Sequence, residues 1–269
     1  MKVILSRKGF DGTSGGLASP ILPDGTLLSL PICDKNSGLT YADCQYKGVS
    51  YEKIIEQLQP KKKLKNSSGE VYFCHLDPDI RENVHNHQPD NWQAIFGQKG
   101  SAQCFLTNAE VGIGDLFLYF GWFRQTEGDL EKGTLSYKAN VPDLHVIFGY
   151  LQIGEIIRGK ANIKKYDWHP HSKSDLISSV NNTLYLPTKK LSIAPDRKGF
   201  GVFDFDEKRV LTLGNKRGTW KEIPALMPEN LYGNAKNSAS GSGIYYASIW
   251  QEKILLENEV SEKWAQSLF

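Results

Sequence analysis

Residues Ser6-Arg7-Lys8-Gly9-Phe10-Asp11 set two cations and a carboxylate where the first apolar run meets a loop holding Gly12, Gly15 and Gly16. Cations after a strand, followed by glycines, suit an anion site. Glycine lets backbone amides approach a phosphate, and Arg7 offers a bidentate contact. Neither the phosphate-loop pattern nor the dinucleotide glycine fingerprint is present. The competing reading is a solvated turn with an Arg–Asp pair.

A second polar cluster, "CHLDPDIR", carries His75, Asp77, Asp79 and Arg81. Residues two apart on a strand face the same way, so His75, Asp77 and Asp79 could share a face for acid–base work or a divalent ion. Pro78 breaks the strand, and Asp and Pro favour turns. A metal would need a third carboxylate, for which Asp11 is the natural candidate; the sequence assigns no metal ligand and no cofactor. "YDWHPHS" places His169 and His171 two apart, but Pro170 separates them and no cysteine is near, so a surface loop is favoured over a metal site. His145, inside an apolar run, reads as a core histidine.

The third cluster is aromatic. Phe117, Tyr119, Phe120, Trp122 and Phe123 crowd one run, and Arg124 follows. Aromatic walls beside an arginine can stack a base; they also fill β-rich cores. Alternation puts Phe117 and Tyr119 on one face and Phe120 and Trp122 on the other.

These groups must be positioned by a mostly β scaffold. Strands are expected over 2–6, 25–32, 70–80, 114–123, 144–157, 182–187, 201–205 and 209–214. "YEKIIEQLQ" (51–59) has helical spacing, and the closing segment reads as an amphipathic helix burying Val260, Trp264 and Leu268. Residues 81–99 read as a loop or irregular helix and 233–243 as a loop, and a cationic run stands at Lys61, Lys62, Lys63 and Lys65. Gly149 and Gly154, inside a strand, mark a bulge or a close approach of another chain segment.

With 269 residues the chain can bury a sizeable core, and a single compact domain over 1–269 is expected. A formal net charge of +2 excludes nothing about nucleic acid, because any basic surface must be local. No apolar run spans a bilayer, so no membrane partner is expected. The N-terminus lacks the long apolar region of a signal peptide, which reads as a cytoplasmic location. Cys33, Cys44, Cys74 and Cys104 stand far apart, without a CxxC pair, and read as reduced thiols.

Two resemblances follow from the motifs. "HLDPDI", "GIGDLFLYFGWFR" and "FGYLQIGEII" resemble the strand order of the PUA-like superfamily over about 70–215. This resemblance implies a PUA-like barrel core with N-terminal and C-terminal α/β additions, an α+β, mostly β fold. Its usual Ser-Glu-Pro entry is Leu-Asp-Pro here. More specifically, "SRKGFD", "GG", "SPI", "PDG", "DPDIR", "GDLFLYFGWFR" and "LP", spread over the chain, resemble the nucleotide modification associated domain, third family, which occurs in phages and bacteria beside DNA-base-modifying enzymes.

That resemblance implies handling of DNA or nucleotides, with protein partners from a modification system. It implies functional positions at Arg7, Lys8, Asp11, Asp77, Asp79, Arg81, Trp122 and Arg124. Three readings stand. One is recognition of a modified base or nucleotide in an aromatic pocket with a basic rim (Arg7, Lys8, Arg81, Trp122, Arg124). Another is a transferase, glycosidase or hydrolase using Asp11, Asp77 or Asp79 with His75. The last is a non-catalytic protein-interaction domain.

Overall fold

The computed structural model describes residues 1–35, 37–60, 73–233, 238–240, 243–246 and 251–269. The apolar runs become a curled, nine-stranded sheet. Its main path orders the strands Glu252–Leu255, Val3–Arg7, Leu116–Glu127, Leu144–Arg158, Thr183–Pro187 and Phe96–Gln98. Ser19–Ile21 and Ser136–Tyr137 also pair with Leu116–Glu127, and Phe200–Val202 pairs with Leu144–Arg158. The first strand runs parallel to Leu116–Glu127 and antiparallel to Glu252–Leu255, with Leu5 opposite both Leu118 and Lys253. The fold is α+β and mostly β, and its sheet draws on residues outside 70–215.

Continuous apolar sequence, rather than alternation, marks a strand covered on both faces. Val3, Ile4, Leu5 and Leu116 through Phe120 are all buried. Phe117 and Tyr119 pack on Phe96 on one face, while Phe120 meets Trp220 and Tyr246 on the other. Both faces of this strand are core. The two glycines of the longest strand behave as their placement implies: register shifts occur between Ile147 and Gly149 and between Ile153 and Glu155. A Cβ on Gly154 would lie 2.6 Å from the Pro187 carbonyl oxygen.

Two smaller apolar clusters hold up the polar segments. Helix Tyr51–Leu58 starts at Ser50, whose hydroxyl accepts the Lys53 N–H, and buries Tyr51, Ile54, Ile55 and Leu58. With Tyr41, Cys44 and Cys74 these residues underlie the paired strands Ile32–Asp34 and Phe73–His75. The four cysteines are free. A third cluster, Ile95, Ile163, Leu184 and Leu186, packs Trp168 beside the turn Pro170–Ser172.

Some expected elements differ. Residues 25–32 and 209–214 make isolated bridges instead of regular strands. The strand expected over 70–80 is Phe73–His75, its first residues and the lysine run 61–65 falling outside the described residues. In the loop expected over 81–99 a strand forms at Phe96–Gln98; of the loop expected over 233–243, Ser238–Ser240 is strand and 234–237 and 241–242 lie outside the described residues. The closing helix, Glu259–Ser267, turns Ser261 and Ala265 inward and leaves Val260 exposed; Trp264 is half-buried against the core, and Leu268, just past the helix, is buried as expected. The cap explains the start: the Asn258 side chain accepts the Ser261 N–H and so fixes the first turn.

Candidate functional site

The turn after strand Phe73–His75 and the turn Pro170–Ser172 meet at Asp77. Its Oδ1 accepts the backbone N–H of Gly97 at 2.7 Å and lies 3.3 Å from His169 Nε2. Its Oδ2 lies 3.9 Å from both His75 Nε2 and His171 Nε2. The ligand atoms of His75, Asp77 and His171 all fall within 4.8 Å of one another. They line a cleft of about 470 Å³ together with Arg7, Lys8, Asp11 and Lys99, a volume in the range of small-molecule sites.

Each group is held from behind. His75 Nδ1 donates to Asp34 Oδ2 at 2.8 Å across the Ile32–Asp34 strand pair. His171 Nδ1 donates to Asn182 Oδ1 at 2.6 Å. The Asn182 amide cannot rotate away, because its nitrogen donates to the carbonyls of His171 and Leu176. With the Nδ1 protons engaged, both Nε2 atoms keep a lone pair facing Asp77. His169 has the opposite arrangement: its Nδ1 accepts the His171 N–H, leaving an Nε2–H for Asp77.

Burial alone would raise the Asp77 pKa. The neighbouring His169, then His171 and the charge of Lys8, overrule it and hold the carboxyl well below the usual range. His171 moves to about 3, chiefly because burial disfavours its cation. The centre therefore pairs an ionised carboxylate with a neutral imidazole. Deeper in, Lys8 Nζ stands 3.7 Å from Glu252 Oε1 and 4.3 Å from the centre of the Phe96 ring. Gln98 donates to the same glutamate oxygen at 2.6 Å. Burial pushes the Glu252 carboxyl up, and the Lys8 charge pulls it only part of the way back.

The glycine loop at the rim is built differently from a phosphate cradle. Asp11 Oδ1 accepts the N–H groups of Thr13 and Ser14 and the Thr13 hydroxyl. Burial works upward on Asp11, but these bonds leave its pKa lowered. Gly15, at φ +89°, lies against the Phe10 ring, where any Cβ would collide. Arg7 reaches Asp11 at 3.9 Å and faces two clefts. The second cleft, of about 380 Å³, is walled by Trp122, His145, Arg217 and Tyr245, with the Arg217 guanidinium 4.1 Å over the Trp122 ring. The Trp122 indole nitrogen is buried and has no hydrogen-bond partner among the described residues.

Of the residues singled out in the sequence, Arg7, Lys8, Asp11, His75 and Asp77 line the first cleft, and Trp122 lines the second. Asp79 faces inward, accepting from His85 Nε2 at 2.7 Å and Trp92 Nε1 at 3.0 Å. Arg81 donates to the Leu27 carbonyl and borders a groove beside Tyr51 and Val84 that shares Gly9 and Asp77 with the first cleft. Arg124 donates to the Lys138 carbonyl and lies over Tyr137, outside both clefts. His169 and His171, expected on a surface loop, are buried, because the turn carrying them packs beside the third apolar cluster. His145 is the buried core histidine expected, with Trp220 Nε1 donating to it at 3.0 Å. Asp34, Lys99, Asn182, Arg217 and Glu252 carried no motif; their roles come from packing partners distant in sequence.

No helix among the described residues is long and apolar enough to cross a membrane. No curated protein and no solved structure matches the chain. Residues 2–254, which include every residue of both clefts, match the model of Nucleotide modification associated domain 3, and the chain belongs to that family.

Proposed function

We propose that this chain binds a modified base or nucleotide, free or displayed by DNA, and acts on it in the His75–Asp77–His171 cleft as part of a DNA base-modification system. One observation carries the reading: a buried carboxylate, two imidazoles and the cations Arg7 and Lys99 converge in a cleft of about 470 Å³ in a chain of this family. Phosphate has Arg7 and Lys99 to meet. Asp77, ionised and backed by His75, is placed for general-base or nucleophilic work in a transferase, glycosidase or hydrolase reaction. Recognition without turnover is the second reading. It is favoured by the Trp122–Arg217 pair, a stacking wall for a base in the adjoining cleft.

A thermal-shift screen of the purified chain against free nucleotides and short DNAs, modified and unmodified, tests the proposal. A ligand at a hundred times its dissociation constant adds about 2.7 kcal/mol of stability. A shift with one ligand class, lost in Arg7→Ala, supports it. No shift with any class, or a shift unchanged in both Arg7→Ala and Trp122→Ala, overturns it. Turnover of the ligand so identified separates the two readings.

A further inference from the structure

The three lone pairs that meet at the cleft floor are arranged for something other than each other. His75 Nε2, His171 Nε2 and Asp77 Oδ2 are all acceptors, and the neighbours fix them so: Asp34 and Asn182 take the Nδ1 protons, while the Gly97 N–H occupies Asp77 Oδ1, with His169 Nε2 3.3 Å from the same oxygen. Acceptors facing one another repel unless a cation stands between them. The His171 side chain is almost wholly buried, and among the described residues its Nε2 faces Asp77 Oδ2, another acceptor, at 3.9 Å. Lys8 does not fill this role, since its ammonium is turned to Glu252.

We propose that His75, Asp77 and His171 hold a first-row divalent transition-metal ion. Two imidazoles and one carboxylate form the facial set that binds such ions and leaves coordination positions open. Magnesium and calcium, which prefer all-oxygen shells, fit it poorly. The Asp34–His75 and Asn182–His171 bonds are the outer partners that metal-bound histidines use to fix tautomer and ring angle. The protein side is filled by these partners, so the open positions face the cleft, where water or a substrate oxygen or nitrogen can enter. His169 does not ligate: its Nε2 stands 3.3 Å from the far oxygen of Asp77, away from the other two rings' lone pairs.

A bound ion takes Asp77 Oδ2 as a ligand and so takes over the base role proposed for that oxygen, while Oδ1 stays with the Gly97 N–H; the metal site is nevertheless tested on its own, because the metal can be titrated without nucleotide. Chelator-treated full-length chain is titrated with Co²⁺, read by its visible absorption, and with Zn²⁺ by calorimetry. A single ion per chain is expected. His171→Ala and His75→Ala should weaken binding by at least about a hundredfold, and Asn182→Ala, a positioning variant, by about 10–100-fold. Melting curves in metal-free buffer establish that each variant is folded. If Asn182→Ala is folded where the histidine variants are not, it decides the matter. Absence of saturable binding by the wild type, or equal affinity in folded His171→Ala or Asn182→Ala, overturns the inference. Nucleotides are then titrated into metal-free and loaded protein. Nucleotide binding without metal binding overturns the metal site alone, and metal binding without nucleotide binding overturns only the proposed function.

Discussion

His169 and His171, two residues apart on one turn, address opposite oxygens of the same carboxylate: His169 Nε2 lies 3.3 Å from Asp77 Oδ1, and His171 Nε2 lies 3.9 Å from Oδ2. The link between the rings is local, since the His171 backbone N–H donates to His169 Nδ1. The turn thereby makes His169 Nε2 the protonated nitrogen, while Asn182, outside the turn, makes His171 Nε2 an acceptor. The turn sets a polarity across Asp77: a hydrogen-bonded oxygen behind, a free oxygen in front.

Asp77→Asn removes the front charge while keeping the side-chain shape. Turnover of the ligand found by the thermal-shift screen should fall about 10²–10⁴-fold, the range for loss of a general base. Nucleotide affinity, set at Arg7 and Lys99, should change far less. Steady-state kinetics beside equilibrium binding checks this; normal turnover by the variant excludes Asp77 from the chemistry.

Gly97→Ala tests the packing of the centre. A Cβ there would lie 2.5 Å from the His171 ring, while the Gly97 N–H already holds Asp77. The ring must move. A stability loss of about 1–3 kcal/mol is expected from overpacking, along with loss of Co²⁺ absorption. Denaturant melts and the metal titration read the two effects separately.

His145 predicts an acid limb of stability. Burial, then the charges of Arg217 and Arg7, lowers its pKa well below the ordinary 6.5. The unfolded chain takes up a proton near pH 6.5 and the folded chain does not, so stability falls as pH drops below about 6.5. One such group contributes about 1.4 kcal/mol per pH unit. His145→Gln leaves an acceptor for Trp220 Nε1 and removes the titration. Chemical denaturation between neutral pH and pH 5 should show the variant with the shallower slope; an unchanged slope assigns the acid limb to other groups.

Trp122→Ala removes the wall over which Arg217 lies. Base stacking is worth about 1–3 kcal/mol per base, so affinity for a single-stranded DNA ligand should fall about 5–150-fold, with Asp77-dependent turnover of a small free nucleotide much less affected. Fluorescence anisotropy against salt-matched wild type measures it.

Half of the site was legible in the sequence because half of it is local. His75 and Asp77 flank one strand end, where a polar turn after an apolar run announces itself. Arg7, Lys8 and Asp11 do the same at the first strand, although the glycines there serve Asp11 and the Phe10 ring rather than an anion. His171 was not legible. Its proline reads as a surface turn, and its burial depends on Ile163, Leu184 and Leu186, whose proximity no spacing encodes. Asp79 misled for the opposite reason: strand alternation would set it beside Asp77, but the chain turns at Pro78 and delivers it to His85 and Trp92. The helix Tyr51–Leu58 and the long central strands were readable because period and burial agree there.

The pairing of Val3–Arg7 with Glu252–Leu255 has a consequence for synthesis. Lys8 and Glu252, neighbours at the end of that pair, leave the ribosome 244 residues apart, and contacts of such long sequence separation form late. Until the second partner emerges, the first strand has a bare edge and Lys8 has no counter-charge. A nascent or truncated chain therefore carries His75, Asp77 and His171 over an unfinished floor, and competence at the cleft should arrive in a single step as the last strand docks.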